Sequence, residues 1–562
     1  MNIGLDFGMT NSTISFFDKE SNGLTNFKPD AAAEYIPTII AYNKNRSDEI
    51  LIGNAAKAKL TSKSYDTYEN FKLHLGKRFD KVIDGKNKTP KDVAHDFIKK
   101  LLESFQNQYR DIQSIVMTVP NIWIGEESNK TARDNIKDIF SFLGYDGKDK
   151  DGKDKFRLVS EPIAAAAYFC YAYENIDYWN TNHSKQPYNG FITVIDYGGG
   201  TLDVTLCKVI NGKISVLDGK GLGEDNQTNG QAGVAFDEAV IEKLINDNNL
   251  SIDKNSIRFI KLRNSFEEQK ISECPKITKL LKMYFSGPTG PAIVKKEVLF
   301  PLVYNDDIGE EINVYCEDLV DCFNRINAPI LHDSLIKIQQ FLDANSIDSN
   351  DQNNFRILLV GGFSNFFAVE AEVKKYFAPK TKNKSSYDYE DKRFEQPFPP
   401  INRSFAISKG AALIAQEMVD VEYLCPYKIG YFVPNYIEED KYIMAPRVVI
   451  EKDTKISTIK EPKYLEKPSI EFSHEFLKQF VKLVIFIDDG RPNEAGLSKA
   501  ALDEKAVELF PNISKAENKY SIGFSVDENY IPTIYIKDIN SGDVKPTPLN
   551  KWLEKIAIRE VH

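Results

Sequence analysis

Two stretches of this chain, about 190 residues apart, follow one design. Ile3-Gly4-Leu5-Asp6-Phe7-Gly8-Met9-Thr10-Asn11-Ser12 is an apolar run ending in an aspartate, an aromatic and a glycine, and residues 13–17 return in alternation. Thr193-Val194-Ile195-Asp196-Tyr197-Gly198-Gly199-Gly200-Thr201 repeats it, with Leu202, Val204 and Leu206 alternating behind. Strand, carboxylate, glycine turn and return strand, present twice, read as an internal duplication. Glycine turns let backbone N–H groups approach phosphate oxygens without Cβ obstruction, and hydroxyls at Thr10, Ser12 and Thr201 add donors. Two strand-end carboxylates facing one cleft can hold a hydrated Mg²⁺ against those phosphates. Either segment alone reads as well as an ordinary hairpin whose glycines serve the turn. A third element, Ile357-Leu358-Leu359-Val360-Gly361-Gly362 leading into a helix from about Asn365, favours a nucleotide site. No segment is GxxxxGK[ST] or GxGxxG, so the P-loop and dinucleotide readings lack their residues.

At 562 residues the chain is long enough for three to four domains. Its net charge, 72 − 82 = −10, argues against a duplex nucleic-acid binder. Cys170, Cys207, Cys274, Cys316, Cys322 and Cys425 form no CxxC pair and have no neighbouring histidine, which favours buried reduced thiols over zinc or disulfides. The N-terminus lacks a positive leader and carries Asp6 where a signal peptide needs apolar residues, and the longest apolar stretch, residues 163–173, is about half a membrane span. A cytoplasmic protein with no membrane and no nucleic-acid partner is expected. From Tyr427 the texture becomes β-alternating, at residues 428–433, 447–451, 482–487, 521–526 and 531–537, the last two flanking a turn as a hairpin with one buried face. We expect a mixed α/β body over residues 1–415, a linker at 416–425, an all-β domain at 426–545 and a short tail at 546–562.

These motifs resemble the ATPase module of the actin, sugar-kinase and heat-shock superfamily, and within it the 70-kilodalton heat-shock (DnaK-like) chaperones. The likeness spans most of the chain. It implies an actin-like (ribonuclease H-like), two-lobed α/β ATPase domain followed by a β-sandwich that binds peptide. Asp6 to Ser12 matches the first phosphate loop, Asp196 to Asp203 the second, and Val360-Gly361-Gly362 the adenosine loop. Phe71-Lys72-Leu73-His74-Leu75-Gly76 resembles the segment whose lysine positions the attacking water, Thr118-Val119-Pro120 the proline-switch strand, and Ser160-Glu161-Pro162 the segment of the catalytic-pocket glutamate. Glu267-Glu268-Gln269-Lys270 resembles the adenosine-clamping helix.

The resemblance therefore implies ATP or ADP with Mg²⁺ as cofactors, and hydrolysis of ATP assisted by Lys72, Glu161, Thr201 and Asp203. It assigns Gly8, Met9, Thr10, Asn11, Gly198, Gly199, Gly200, Thr201, Gly233, Glu267, Lys270, Gly361 and Gly362 to the nucleotide, and Asp6 and Asp196 to Mg²⁺ through water. The bland alternatives are a solvated helix-face lysine for Lys72 and capping or surface carboxylates for Glu161 and Asp203. Implied partners are unfolded or extended polypeptides, a J-domain co-chaperone through Arg157, and a nucleotide-exchange factor. Met9 stands where the family has a threonine touching the γ-phosphate, Ile271 where an arginine stacks on adenine, and Phe363 and Asn365 where serine and arginine contact the nucleoside. Slow turnover is expected. The linker Val419-Asp420-Val421-Glu422-Tyr423-Leu424 is more polar than the family's, and the 17 residues after 545 are too short for the family's helical lid. Other classes weighed are an actin-like nucleotide-gated scaffold or filament, a specialised single-partner regulator, and a small-molecule kinase, for which no residue set is found.

Overall fold

The first duplicated segment folds as strand Asn2–Phe7 and return strand Asn11–Asp18, antiparallel, with Asp6 opposite Thr13. The second folds as Gly190–Tyr197 and Leu202–Ile210, with Asp196 opposite Asp203. Each hairpin takes a parallel neighbour on its free side: Ser114–Val119 sets Thr118 beside Asp6, and Phe355–Val360 sets Val360 beside Asp196. Each also has a further strand beyond its return strand, Gly23–Asn26 in one sheet and Lys213–Leu222 in the other. The duplication thus extends to strand order, and Phe156–Ser160 adds an edge to the first sheet. The computed structural model describes residues 1–18, 20–29, 35–46, 48–75, 81–83, 86–109, 111–120, 127–149, 152–175, 187–222, 232–305, 309–344, 346–378, 391–425, 427–438, 441–465, 472–473, 484–488, 498–501, 519–527 and 532–548. It divides into a first unit of Met1–Asn121, Thr131–Ile214 and Gly219–Val421, and a second built chiefly from Glu422–His562.

Alternation explains why the strand bearing Asp6 is fixed so firmly. Ile3, Leu5 and Phe7 are fully buried on one face, where Phe7 meets the rings of Phe71 and Phe97 at 6.1 and 5.9 Å. Phe97 belongs to helix Pro90–Gln108, which starts at a Thr89/Asp92 capping box and buries Val93, Ala94, Phe97, Ile98, Leu101, Leu102 and Phe105 at helical spacing. On the opposite face Gly4 lies under helix Ala406–Ala415, where a Cβ would stand 2.2 Å from the Ala412 nitrogen and 2.3 Å from the Ser408 oxygen. That helix also crosses Glu161–Asn175 backbone to backbone: a Cβ on Gly410 would lie 1.6 Å from the Ala164 oxygen. Small residues at both contacts let the strand of Asp6 and the helix headed by Glu161 share one neighbour.

After the third glycine turn, Phe363–Asn365 forms a 3₁₀ turn and the α-helix runs over Phe367–Tyr376. It begins later than the sequence suggests because Phe366 is extended, at φ −72° and ψ 113°. Further along, Val421 makes a parallel bridge to Ile214, and Lys213 pairs with Asp420 at 3.4 Å. All six cysteines are free, five of them buried. No described helix is long and apolar enough to cross a membrane.

In the second unit one antiparallel sheet runs Lys441–Ile450, Lys428–Glu438, Val484–Asp488, Ser498–Ala501. Another contains Lys463–Tyr464, Lys519–Val526, Pro532–Asp538 and Val544–Pro548, with Phe472–Ser473 also paired to Lys519–Val526. The expected hairpin is present, with Ile522 opposite Ile536, Phe524 opposite Ile534, and these side chains buried along with Val526. Tyr431 of the first sheet stacks on Phe524 of the second at 6.5 Å. The sequence expectations for Gly76, for strand residues 482–483 and 531, and for tail residues 549–562 lie outside the described residues.

The crossing at Gly410 sets two effects against each other. Gly→Ala in a helix interior gains about 1 kcal/mol from propensity, whereas overpacking a backbone contact costs about 1–3 kcal/mol or more. Gly410→Ala should lower the urea midpoint, with a net loss of about 2 kcal/mol. A stabilised variant would show that propensity, and not the contact with Ala164, decides the site.

Candidate functional site

The two glycine turns meet tip to tip. A Cβ on Gly199 would stand 2.3 Å from Thr10 Oγ1, and one on Gly200 would stand 2.1 Å from Met9 Cε. Within the first turn a Cβ on Gly8 would lie 2.1 Å from the Asn11 oxygen, and in the second the Gly198 N–H donates to the Thr201 oxygen at 3.0 Å. Helix Gly233–Asp247 starts against this turn: the Gly233 and Val234 N–H groups donate to the Gly198 and Gly199 oxygens at 3.3 and 2.7 Å. Gly361, at φ +85°, closes on the same place, since a Cβ there would lie 2.4 Å from Asp196 Oδ1. The Cβ direction of Gly362 is open. The structure thus brings Met9 and Thr10 to Gly199 and Gly200, and Gly198, Gly233 and Gly361 to the same turn beside Asp196.

Beneath the turns lies a buried charge cluster. Lys72, on the 3₁₀ turn Phe71–His74, is 3% exposed and pairs with Glu161 at 3.1 Å; Glu161 is 5% exposed and Asp203 2%. These burials rule out the solvated-lysine and surface-carboxylate readings. Asn70 lets the chain enter that turn through the left-handed region, at φ 56°, which asparagine tolerates better than most residues. Burial first, and then the charge of Glu161, push the Asp6 carboxyl up to about 7, against the opposing pull of Lys72 and the Thr118 hydroxyl, which donates to Asp6 Oδ1 at 3.2 Å. Asp196 is raised well above the usual carboxylate range by burial and by Glu161, Asp203 and Asp6, with Lys72 opposing.

That repulsion is a test of fit for a divalent cation. An all-oxygen cluster with excess negative charge suits a hard cation such as Mg²⁺, whose charge would favour ionised carboxylates. Among the described residues no group of three or more His, Cys, Asp or Glu could hold a metal ion by itself, so such a cation would retain water ligands. Glycine at these positions lets the two turns close on each other, Gly199 on Thr10 and Gly200 on Met9, nearer than any Cβ would allow.

The expected nucleoside contacts are arranged differently from a set of open polar groups. Glu267, on helix Ile257–Ser272, is bound by Lys57 at 2.6 Å, and Lys270 by Asp237 at 2.5 Å. Ile271 is 56% exposed, whereas Phe363 is 5% exposed and packs at the turn. Two residues here carry no motif that the sequence could have revealed. Asn327, fully buried, donates to the Tyr197 hydroxyl at 3.1 Å and to the Ala232 oxygen at 3.2 Å, joining the second turn to the start of helix Gly233–Asp247. Arg403 accepts from the Gly361 N–H at 3.2 Å through its carbonyl, donates to the Ser364 oxygen at 3.1 Å and pairs with Glu370 at 3.0 Å, fixing the third turn. Arg157 donates to the Ile414 oxygen at 3.0 Å, at the end of helix Ala406–Ala415.

Comparison with known proteins matches residues 2–88 and 81–390 to the family described as "Hsp70 protein". A "Chaperone protein DnaK" of Psychrobacter cryohalolentis is 24% identical over 501 residues, 82% of this chain and 64% of that protein. Proteins of the same name from Thermosipho melanesiensis and Thermotoga neapolitana are 24% and 23% identical, over 74% and 75% of this chain and 58% and 60% of theirs. The chain spans about three fifths of the length of these relatives.

A raised carboxyl reverses the usual dependence of stability on pH. Between 3.8 and about 7 the folded state keeps the Asp6 proton that the unfolded chain releases, so this group's contribution to stability falls as pH rises through that window. In urea unfolding without divalent cations, wild type should lose at least about 1.4 kcal/mol more than Asp6→Asn between pH 4 and 7.5, the equivalent of one pKa unit. Equal losses would show that Asp6 ionises freely.

Proposed function

Because the chain belongs to the Hsp70 family, we propose that it is an ATP-dependent chaperone, in which the first unit binds and hydrolyses Mg²⁺-ATP and the second binds extended polypeptide. The observation that carries this reading is the meeting of two glycine turns above the half-buried carboxyl of Asp6 and the buried carboxyl of Asp196. In this mechanism Gly8 to Asn11 and Gly198 to Thr201 face the phosphates with backbone N–H groups and hydroxyls. Asp6 and Asp196 would hold a hydrated Mg²⁺, which would supply charge to offset that of the phosphates. Lys72, steadied by Glu161, supplies the fixed positive charge at the phosphoryl group, and Glu161, Thr201 and Asp203 orient the attacking water. Water oxygen bonds to the γ-phosphorus as the bond to the bridging oxygen breaks, releasing ADP and phosphate; the contribution of these side chains is positional and electrostatic.

Two local features favour slow turnover. The Met9 side chain lies across Gly200 and has to move aside for phosphate, and Glu267 has to leave or share Lys57 before it can meet a ribose. Asp196→Asn should leave the chain folded and lower phosphate release by at least about tenfold, or 1.4 kcal/mol of barrier. Unchanged turnover in a folded variant would remove Asp196 from the metal site.

For the second unit we propose a β-sandwich over residues 426–545 that takes peptide in extended form, drawing affinity from main-chain hydrogen bonds and selectivity from side-chain pockets. Residues 416–425 act as the linker in this reading. A J-domain co-chaperone and a nucleotide-exchange factor are the implied partners, and Arg157 would answer the former through its contact with Ile414. In fluorescence anisotropy the full chain should bind an apolar extended peptide with micromolar affinity, about −8 kcal/mol. No binding with or without ATP would reject the peptide role and leave a dedicated folded partner as the ligand.

A further inference from the structure

A peptide group is planar and trans, so fixing the direction of one carbonyl turns the N–H of the next residue the opposite way. Both glycine turns have carbonyls pinned by donors of the protein. In the first turn a single residue pins two of them. Thr38, 1% exposed, donates its hydroxyl to the Gly8 oxygen at 2.9 Å and its N–H to the Thr10 oxygen at 2.8 Å. With its one hydroxyl proton on Gly8, Thr38 Oγ1 accepts from the hydroxyl of Ser12 at 2.9 Å, in the return strand. In the second turn the pins are the Gly233 and Val234 N–H groups, on the Gly198 and Gly199 oxygens. The Met9 N–H is therefore directed away from the Thr38 hydroxyl, and the Gly199 and Gly200 N–H groups away from the start of helix Gly233–Asp247.

That helix holds the second turn only as firmly as it is itself held. Asn327, fully buried between helices Cys316–Ile326 and Ala328–Ala344, supplies the hold. Its amide donates to the oxygen of Ala232, one residue ahead of the helix, at 3.2 Å. It also donates at 3.1 Å to the hydroxyl of Tyr197, one residue ahead of Gly198. Tyr197 is itself fully buried, its ring edge-on to Phe363 at 5.0 Å. One side chain thus ties the strand end that leads into the turn to the helix that pins the turn's carbonyls.

Resting on the nucleotide-binding reading above, we propose that Thr38, Asn327 and the Tyr197 hydroxyl are positioning residues for ATP hydrolysis, holding the carbonyls of both turns back so that the opposed N–H groups stand ready for phosphate oxygens. Donors fixed in advance act most on the charge of the transition state, so the effect falls on kcat. The test is steady-state phosphate release from Mg²⁺-ATP by the full chain, with the fold of each variant checked by circular dichroism. Tyr197→Phe and Thr38→Val, each losing one hydroxyl, should lower kcat about tenfold, and Asn327→Leu about a hundredfold, the cost of misplacing a group by about 1 Å. KM should stay within about twofold, the mark of an interaction realised in the transition state. Thr38→Ser, which keeps the donor, should hold kcat within about twofold of wild type. Adding Tyr197→Phe to Asn327→Leu should slow release no further, because the two side chains share one bond. Thr38→Val and Tyr197→Phe decide the matter where Asn327→Leu does not fold. Wild-type kcat in these two folded variants, or a raised KM with kcat unchanged, overturns the proposal and leaves the ATPase reading standing. A wild-type chain that releases no phosphate overturns both.

Discussion

Crowding of the buried carboxyls of Asp196, Asp203 and Glu161 with the half-buried carboxyl of Asp6, within reach of one another's charge, governs the first unit. Carboxyls brought together out of water repel, and the pair at the strand ends responds by holding protons far above the usual range. Such a cluster persists only if the backbone leaves its members no way apart. Here the backbone supplies that restraint three times: Asp6 is paired in register with Thr13 and Thr118, Asp196 with Asp203 and Val360, and Glu161 heads a helix buried along most of its length. Lys72 is the counter-charge that both aspartates feel, and its ion pair with Glu161 is buried on both sides. A hydrated divalent cation completes the balance in the reading proposed.

Helix Ala406–Ala415 ties these restraints together. It lies on Gly4, two residues from Asp6, and on Ala164, three residues from Glu161, at distances that admit no Cβ on Gly4 or Gly410. Arg403, just ahead of it, holds the Gly361 turn, and beyond it Val421 adds a bridge to Ile214. Because these contacts are backbone to backbone, a shift of the strand, the helix or the turn is felt by the others.

The duplication was legible in the sequence because each copy is local: an apolar alternation, an aspartate and glycines that fall within about ten residues. The hairpin at Lys519–Val526 and Pro532–Asp538 was legible for the same reason, period-two burial at Ile522, Phe524, Ile534 and Ile536. What the sequence could not show is chemistry made at long range. Asn327 is an unremarked polar residue between two helices until it is seen joining Tyr197 to Ala232. Glu267 and Lys270 have the spacing of ligand contacts, but their partners, Lys57 and Asp237, come from other helices. The tip-to-tip contact of Thr10 with Gly199 is likewise tertiary, and it turns two hairpins into one site.

In the function proposed, the carboxyl cluster and the glycine turns form a single site for a cation and phosphate. Calorimetric titration of the full chain with ATP, in the presence and absence of Mg²⁺ and in buffers of different ionisation enthalpy, tests it most directly. Binding should require Mg²⁺ and release protons near pH 7, because the cation drives Asp6 and Asp196 to ionise. Equal affinity with and without Mg²⁺, or binding without proton release, would contradict it.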